Sequence, residues 1–298
     1  MGIRSEQIKP LIGSVVHVGK EDLTDPGVNR EILDLLEERT VLVFPELGLS
    51  DEEQLELTDR LGSRVDYSSN VPGGTSAGTD IYEITLDTSI NNEPEYVLST
   101  FFWHFDGSHG HIEPPRASLL TSRGVAKKGG QTEFANTYAA YERLPDDEKA
   151  EIEGLRVRHS IISSMRPFVD SPGEEECARW INAVFKSREA EGSGPVGSSD
   201  DFEKEHPLVW KHKSGRKSLV LGVSADRVVG MPLAEGRALL SRLQEWTAQP
   251  DFTYRHNWRE GDLVICNNPG ALHRVLPYDE HSGRVMHRTT VSGVELIN

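Results

Sequence analysis

Apolar residues recur along this chain in two rhythms. Ile32, Leu35 and Leu36 fall at helical spacing after Asp25-Pro26, which predicts a helix over residues 28–38. Val41-Leu42-Val43-Phe44 is continuously apolar and predicts a buried strand. Ser50-Asp51-Glu52-Glu53 is a capping box that opens a second helix to about Leu61. From residue 67 to 80, Ser, Gly, Asn and Pro break every pattern, so this is a long loop, either a lid over a binding site or a plain surface loop.

Strand patterns resume at residues 81–85, 96–100 and 117–121, and 137–144 and 145–155 read as short helices before an alternating strand at 156–162. Helical character returns over 173–190 and is followed by a Gly/Ser-rich connector at 191–199. Together they suggest an insertion, about residues 165–205, within one domain spanning 1–298. Residues 209–221 form a hairpin around Ser214-Gly215, and 233–248 an amphipathic helix with Leu239, Leu240, Leu243 and Trp246 inward. Leu263-Val264-Ile265-Cys266, after the Gly261-Asp262 turn, is a short buried strand. No internal repeat is present.

Composition narrows the class. The 298 residues, 36% hydrophobic and 27% charged, suffice for a full core. A formal net charge of −16 argues against nucleic acid and anionic membrane as partners, because both are bound by exchanging counterions with a basic surface. No run approaches the roughly 18 apolar residues of a membrane helix. The first residues, Met1 to Glu6, lack an apolar signal core, and Cys177 and Cys266 lie far apart, as in a reducing compartment. A soluble, cytoplasmic protein with small-molecule partners is expected, and a homo-oligomer is compatible with the sequence.

Candidate chemistry concentrates in Trp103-His104-Phe105-Asp106-Gly107-Ser108-His109. On an extended strand, positions i and i+2 share a face, so His104 and Asp106 can close on one ion. A mononuclear non-haem Fe(II) site takes two histidines and one carboxylate on one face and leaves the opposite positions open. His-x-Asp alone is a weak signal, since a strand histidine is commonly a packed core residue. The far end of the chain adds His273, then Arg284 and Arg288 leading into Thr289-Thr290-Val291. A separation of four puts both arginines on one face of a strand. A buried guanidinium is costly without an anion, which a small dicarboxylate would supply.

His104-x-Asp106, Gly129-Gly130-Gln131-Thr132, Trp258 with Gly261-Asp262, Asn268, His273 and the two arginines occur in an order that resembles the taurine and chlorophenoxyacetate dioxygenase family of Fe(II)/2-oxoglutarate enzymes. Arg284 and Arg288 follow His273 by 11 and 15 residues. The many short strands with interspersed helices fit the fold this implies, an α+β, mainly β, double-stranded β-helix (jelly roll, cupin-like) with flanking helices. By resemblance, His104, Asp106 and His273 bind Fe(II), and Thr132 and Arg284 hold the distal carboxylate of 2-oxoglutarate. Arg288 then faces the substrate or the proximal carboxylate, with O2 as the second cosubstrate.

The resemblance further implies oxidative decarboxylation of 2-oxoglutarate to succinate and CO2, coupled to hydrogen abstraction from a substrate. Because the carboxylate Asp106 is retained, hydroxylation, desaturation or cleavage is the expected outcome. The second arginine suggests a carboxylate, sulfonate or similar anion as substrate; pairing with a protein carboxylate is the other reading of Arg288. Asn267-Asn268-Pro269 stands where the family often has Asp-Asn-Arg, so no role of that arginine carries over, and Thr100 stands four positions before His104, at the polar position common in taurine-cleaving members, so taurine itself is not implied. Tyr67, His109 and His111 are candidates either to line the pocket or to be structural. Two rivals remain at this stage. A non-redox metal-binding jelly-roll protein would need no arginine pair, and a metal-dependent hydrolase would need a general base that the sequence does not evidently supply.

Overall fold

The structure is a computed structural model that describes residues 2–65, 81–91, 94–108, 113–160, 163–164 and 203–298. Its larger sheet has seven strands, β1 (Arg4–Gln7), β2 (Ser14–His17), β3 (Val41–Phe44), β4 (Tyr82–Ile84), β5 (Ala117–Gly124), β13 (Leu263–Asn267) and β15 (Val285–Val291). Their order is β1-β2-β3-β13-β5-β15-β4. The smaller sheet, β6 (Thr132–Asn136), β12 (Thr253–His256) and β14 (Ala271–Val275), is antiparallel with β6 in the centre.

Two-sided burial explains why β3 and β13 are apolar without a break. On one side Leu42, Phe44, Leu263 and Ile265 pack with Ile32 and Leu36 of α1 (Pro26–Arg39) and Leu57 and Leu61 of α2 (Asp51–Leu61). On the other, Val41, Val43, Val264 and Cys266 meet Phe134 of the small sheet. Each of these large side chains contributes about 1.5–3 kcal/mol by leaving water. The result is two opposed sheets with helices outside, a jelly roll without a closed barrel.

Both expected N-terminal helices form; the second begins after Ser50 as its capping box predicts, while the first begins at Pro26, two residues before the expected 28, because Asp25 caps it and proline suits its first position. The Asp25 side chain accepts from the Gly27 N–H, and Ser50 and Glu53 form the reciprocal capping box. A third core joins α4 (Thr137–Glu142) and α6 (Leu233–Thr247) to the hairpin of β9 (Val209–Lys211) and β10 (Lys217–Leu219). It also takes in Ile152 of α5 (Asp146–Ile152), Val157 of β7 (Arg156–Ser160) and Val228 of β11 (Ala225–Val228). β7 lies between β11 and β8 (Glu203–Pro207). Trp103 and Phe105 enter the same core, which turns the intervening His104 the other way.

Two expectations are corrected. Residues 96–100 do not form a strand: α3 (Pro94–Ser99) occupies them, because proline at the first helical position has the right φ and needs no N–H partner there. The metal-motif stretch is not a regular strand either. His104 makes an isolated antiparallel bridge to His273, while Asp106 stands in a turn with Gly107 at φ +81°. The predicted loop at 67–80, with Tyr67, and the predicted insertion other than residues 203–205 lie outside the described residues. Among the described residues no helix is long and apolar enough to cross a membrane.

Candidate metal and anion site

Backbone pairing brings the two distant histidines together. His104 N–H donates to His273 O at 3.0 Å, and His273 N–H returns a bond to His104 O at 2.8 Å. Their rings lie 4.2 Å apart, and one ligand atom from each of His104, Asp106 and His273 falls within 4.8 Å of the others. His104 Nδ1 is 2.8 Å from the Phe102 carbonyl, which only accepts, so Nδ1 carries the proton and Nε2 keeps its lone pair.

Asp106 is held from both ends. Its N–H donates to Asn268 Oδ1 and its carbonyl accepts from Asn268 Nδ2, both at 2.8 Å, and the same Nδ2 reaches Pro115 O at 3.2 Å. Its carboxylate accepts from Ser118 Oγ at 2.9 Å and from Arg288 Nη1 at 3.2 and 3.3 Å.

Burial alone would raise the Asp106 pKa, but Arg288 and the two histidines outweigh it and hold the carboxyl well below the usual range. Burial lowers both histidines, and for His273 the neighbouring His104 adds to the effect. At neutral pH the set is therefore two neutral imidazoles and one carboxylate, the protonation state in which these groups ligate a divalent ion.

A single pocket collects His104, His273, Thr132, Arg284 and Arg288, walled by Ile84, Leu120, Phe134, Val264 and Val275. Arg284 is 3% exposed; its Nε donates to Gly130 O at 3.0 Å, and its Nη1 finds no hydrogen-bond partner among the described residues. The Tyr278 ring packs 4.8 Å from its guanidinium carbon. Gly130, at φ +74°, is required here, because a Cβ would stand 2.8 Å from Arg284 Cδ. Arg288 lies against the Tyr82 ring at 4.9 Å, with Leu120 opposite it in the sheet. The two arginines do not share one regular strand face as expected: the register slips between Val285 and Met286 and Arg284 precedes β15, yet both arginines reach the pocket.

A larger cavity, about 420 Å³, lies between α6 and Phe102-Trp103. Its described charged residues include an internal pair, Asp226 with Arg237 at 2.7 Å, and no metal-ligand cluster of described residues borders it.

Sequence reading assigned no role to Ser118, Tyr82 or Tyr278, and gave Asn268 and Trp258 only as motif positions. Their signal is spatial, apart from the motif that contains the last two. His256 bonds Asp262 and Tyr254, His212 bonds Glu295 and Ser218, and His206 bonds Ser108 O, all apart from the triad. His109 and His111 lie outside the described residues.

Comparison with known proteins converges on one family. Residues 4–290 match the profile described as "Taurine catabolism dioxygenase TauD, TfdA family". The chain is 30% identical over 316 aligned positions, covering 98% of it and 95% of that protein, to an alpha-ketoglutarate-dependent 2,4-dichlorophenoxyacetate dioxygenase of Burkholderia sp. (strain RASC). It is 33% identical over 281 positions, 88% and 87% of the two chains, to the protein of the same name from Cupriavidus pinatubonensis. Among solved structures, AAD-2 in complex with Mn(II) and N-oxalylglycine superposes with a TM-score of 0.76 at 30% identity, over 100% of both chains.

Proposed function

The chain belongs to the TauD, TfdA dioxygenase family, and from that premise we propose that His104, Asp106 and His273 hold its iron, Thr132 and Arg284 its 2-oxoglutarate, and Arg288 an anionic substrate. The enzyme is an Fe(II)- and 2-oxoglutarate-dependent dioxygenase that oxidises a small molecule with O2 as cosubstrate. When bound, the iron and 2-oxoglutarate supply the oxidation, with release of succinate and CO2.

The protein contributes position and charge. The paired backbones of His104 and His273 set the spacing of the imidazoles, and Asn268 and Ser118 fix where Asp106 points. The observation that carries the reading is one pocket that joins His104 and His273, whose ring nitrogens cluster with the Asp106 carboxylate, to a buried guanidinium nitrogen without a partner among the described residues. A carboxylate accepting from Arg284 Nη1 and Thr132 satisfies that nitrogen.

Arg288 and its apolar surroundings, Ile84, Leu120 and Tyr82, suit an anion on a hydrophobic body. Aryloxyalkanoates and sulfonates are of this class, and a neighbouring relative is named for 2,4-dichlorophenoxyacetate. Arg288 then exchanges part of its contact with Asp106 for the substrate's anion. Hydroxylation, or desaturation or cleavage after hydrogen abstraction, is the outcome proposed. A non-redox metal protein or a hydrolase is not favoured, since the matching family and the relatives named above are alpha-ketoglutarate-dependent dioxygenases. The two-cysteine composition supports a cytoplasmic setting.

The test is an anaerobic absorption spectrum with Fe(II) and 2-oxoglutarate, followed by succinate release across aryloxyalkanoates, sulfonates, amino acids and amines. His104→Ala, Asp106→Ala and His273→Ala are each expected to abolish turnover while folding. Full activity in any of them would remove that residue from the ligand set, and stimulation only by cations would rule out the role given to Arg288.

A further inference from the structure

Thr132 Oγ1 accepts a 2.9 Å hydrogen bond from the indole Nε1 of Trp258. An indole N–H can only donate, so the threonine oxygen is committed as acceptor and its single proton is left for another partner. With Thr132 only 4% exposed, bulk water is not that partner. Arg284 lines the same pocket and donates its Nε to Gly130 O, two residues before Thr132, and its Nη1 is also a buried donor without a partner among the described residues. Two such donors in one pocket suit a group that only accepts, an ionised carboxylate.

Trp258 is itself anchored. β12 sets His256 opposite Thr132, and Trp258, two residues on, folds its ring edge-on against His256 at 4.5 Å. His256 Nε2 is bonded to Asp262 Oδ2 at 3.0 Å and its Nδ1 to the Tyr254 hydroxyl at 2.9 Å. Asp262 also accepts the backbone N–H groups of Glu46 and Arg259, at 2.8 and 2.9 Å.

We propose that Trp258 is a positioning residue for 2-oxoglutarate: by donating to Thr132 it obliges the threonine hydroxyl to donate to the distal carboxylate. The inference rests on the assignment of Thr132 and Arg284 made above. Trp258 is not among the residues that line the pocket of His104 and His273, and it acts through the direction of one O–H bond. Losing the indole N–H frees the hydroxyl to rotate and lets it compete as an acceptor.

Trp258→Phe keeps a ring against His256 and deletes the donor. Calorimetric titration of 2-oxoglutarate into Mn(II)-loaded protein reads binding without turnover, in wild type, Trp258→Phe, Thr132→Val and the double variant. The expected result is about three- to tenfold weaker binding for Trp258→Phe, the range of one neutral hydrogen bond. Thr132→Val should lose at least as much, and the double variant no more than Thr132→Val, because the indole acts through the hydroxyl. Thr132→Ser should stay near wild type, and Mn(II) affinity should be unchanged throughout.

An unchanged affinity in Trp258→Phe, or the same loss in the Thr132→Val background, overturns the proposal. So does a parallel fall in Mn(II) affinity, the mark of general damage to the site. An unchanged affinity in Thr132→Val overturns the underlying assignment of Thr132 instead.

Discussion

On the assignment of Arg284 proposed above, replacing it by methionine separates its part in binding 2-oxoglutarate from its part in the fold. Its Nε is bonded to Gly130 O and its Nη1 has no partner among the described residues, so without 2-oxoglutarate a buried cation is compensated chiefly by the Tyr278 ring. A charge-assisted bond to a carboxylate is worth about 1.5–3 kcal/mol, and two bonds to one anion, being less than additive, about 3–5 kcal/mol. At about 1.4 kcal/mol per factor of ten, 2-oxoglutarate should bind roughly 100- to 3,000-fold more weakly.

Ligand-free stability should hardly follow. Losing the Gly130 bond costs about 1 kcal/mol, while exchanging an uncompensated buried charge for an apolar chain of similar length offsets that or more. The signature is a variant that melts within a few degrees of wild type alone but no longer gains from 2-oxoglutarate. Wild type should gain about 2.7 kcal/mol at 100 times Kd. Thermal melts of the Mn(II)-loaded proteins with and without 2-oxoglutarate measure both effects. A loss of affinity below tenfold would refute the reasoning and shift the anchor to Arg288.

Three further outcomes are expected. Asn268→Ala removes both bonds that bracket the Asp106 backbone and should weaken Mn(II) about 10- to 100-fold in a metal titration, whereas unchanged affinity would show the bracket to be dispensable. Gly130→Ala places a side chain at φ +74° against Arg284 and should cost about 1–2 kcal/mol in urea unfolding along with 2-oxoglutarate affinity; unaltered values for both would contradict the close approach. For Asp262, burial alone would raise the pKa, but His256 and the Glu46 and Arg259 N–H groups hold it below its ordinary value. A carboxyl lowered on folding contributes stability above its unfolded pKa, about 3.9, and loses it as pH falls through the folded value. Asp262→Asn should thus be about 1–3 kcal/mol less stable at pH 7, with the gap closing below about pH 4. A gap constant from pH 7 to 3 would count against this role.

What is legible in the sequence is what local chemistry decides. The helices at Pro26–Arg39 and Asp51–Leu61 carry their caps within four residues, and β13 carries two-sided burial in its unbroken apolar run. Tyr96-Val97-Leu98-Ser99-Thr100 suits helix and strand alike, and the tie is broken by Pro94 at a helix start. His104 and Asp106 stand out by spacing, although strand geometry is not what joins them: a turn at Asp106 suffices once both side chains reach one point. The supports are beyond local reading because their partners are remote. Asn268 lies 162 positions from Asp106, Arg288 182 positions from it, and Trp258 126 from Thr132. Nothing in one sequence fixes which distant donor meets which acceptor.

The bridge between His104 and His273 closes a chain segment of 169 positions with two main-chain bonds. By chain statistics, bringing such ends together costs about 4–5 kcal/mol of entropy, beyond a constant term. That cost is met when the sheets assemble and not when an ion arrives, so metal capture has little chain left to order. On the ligand set proposed above, iron stripped by a chelator should therefore leave a frame that reloads at once, with exchange kinetics governed by ligand release and not by refolding.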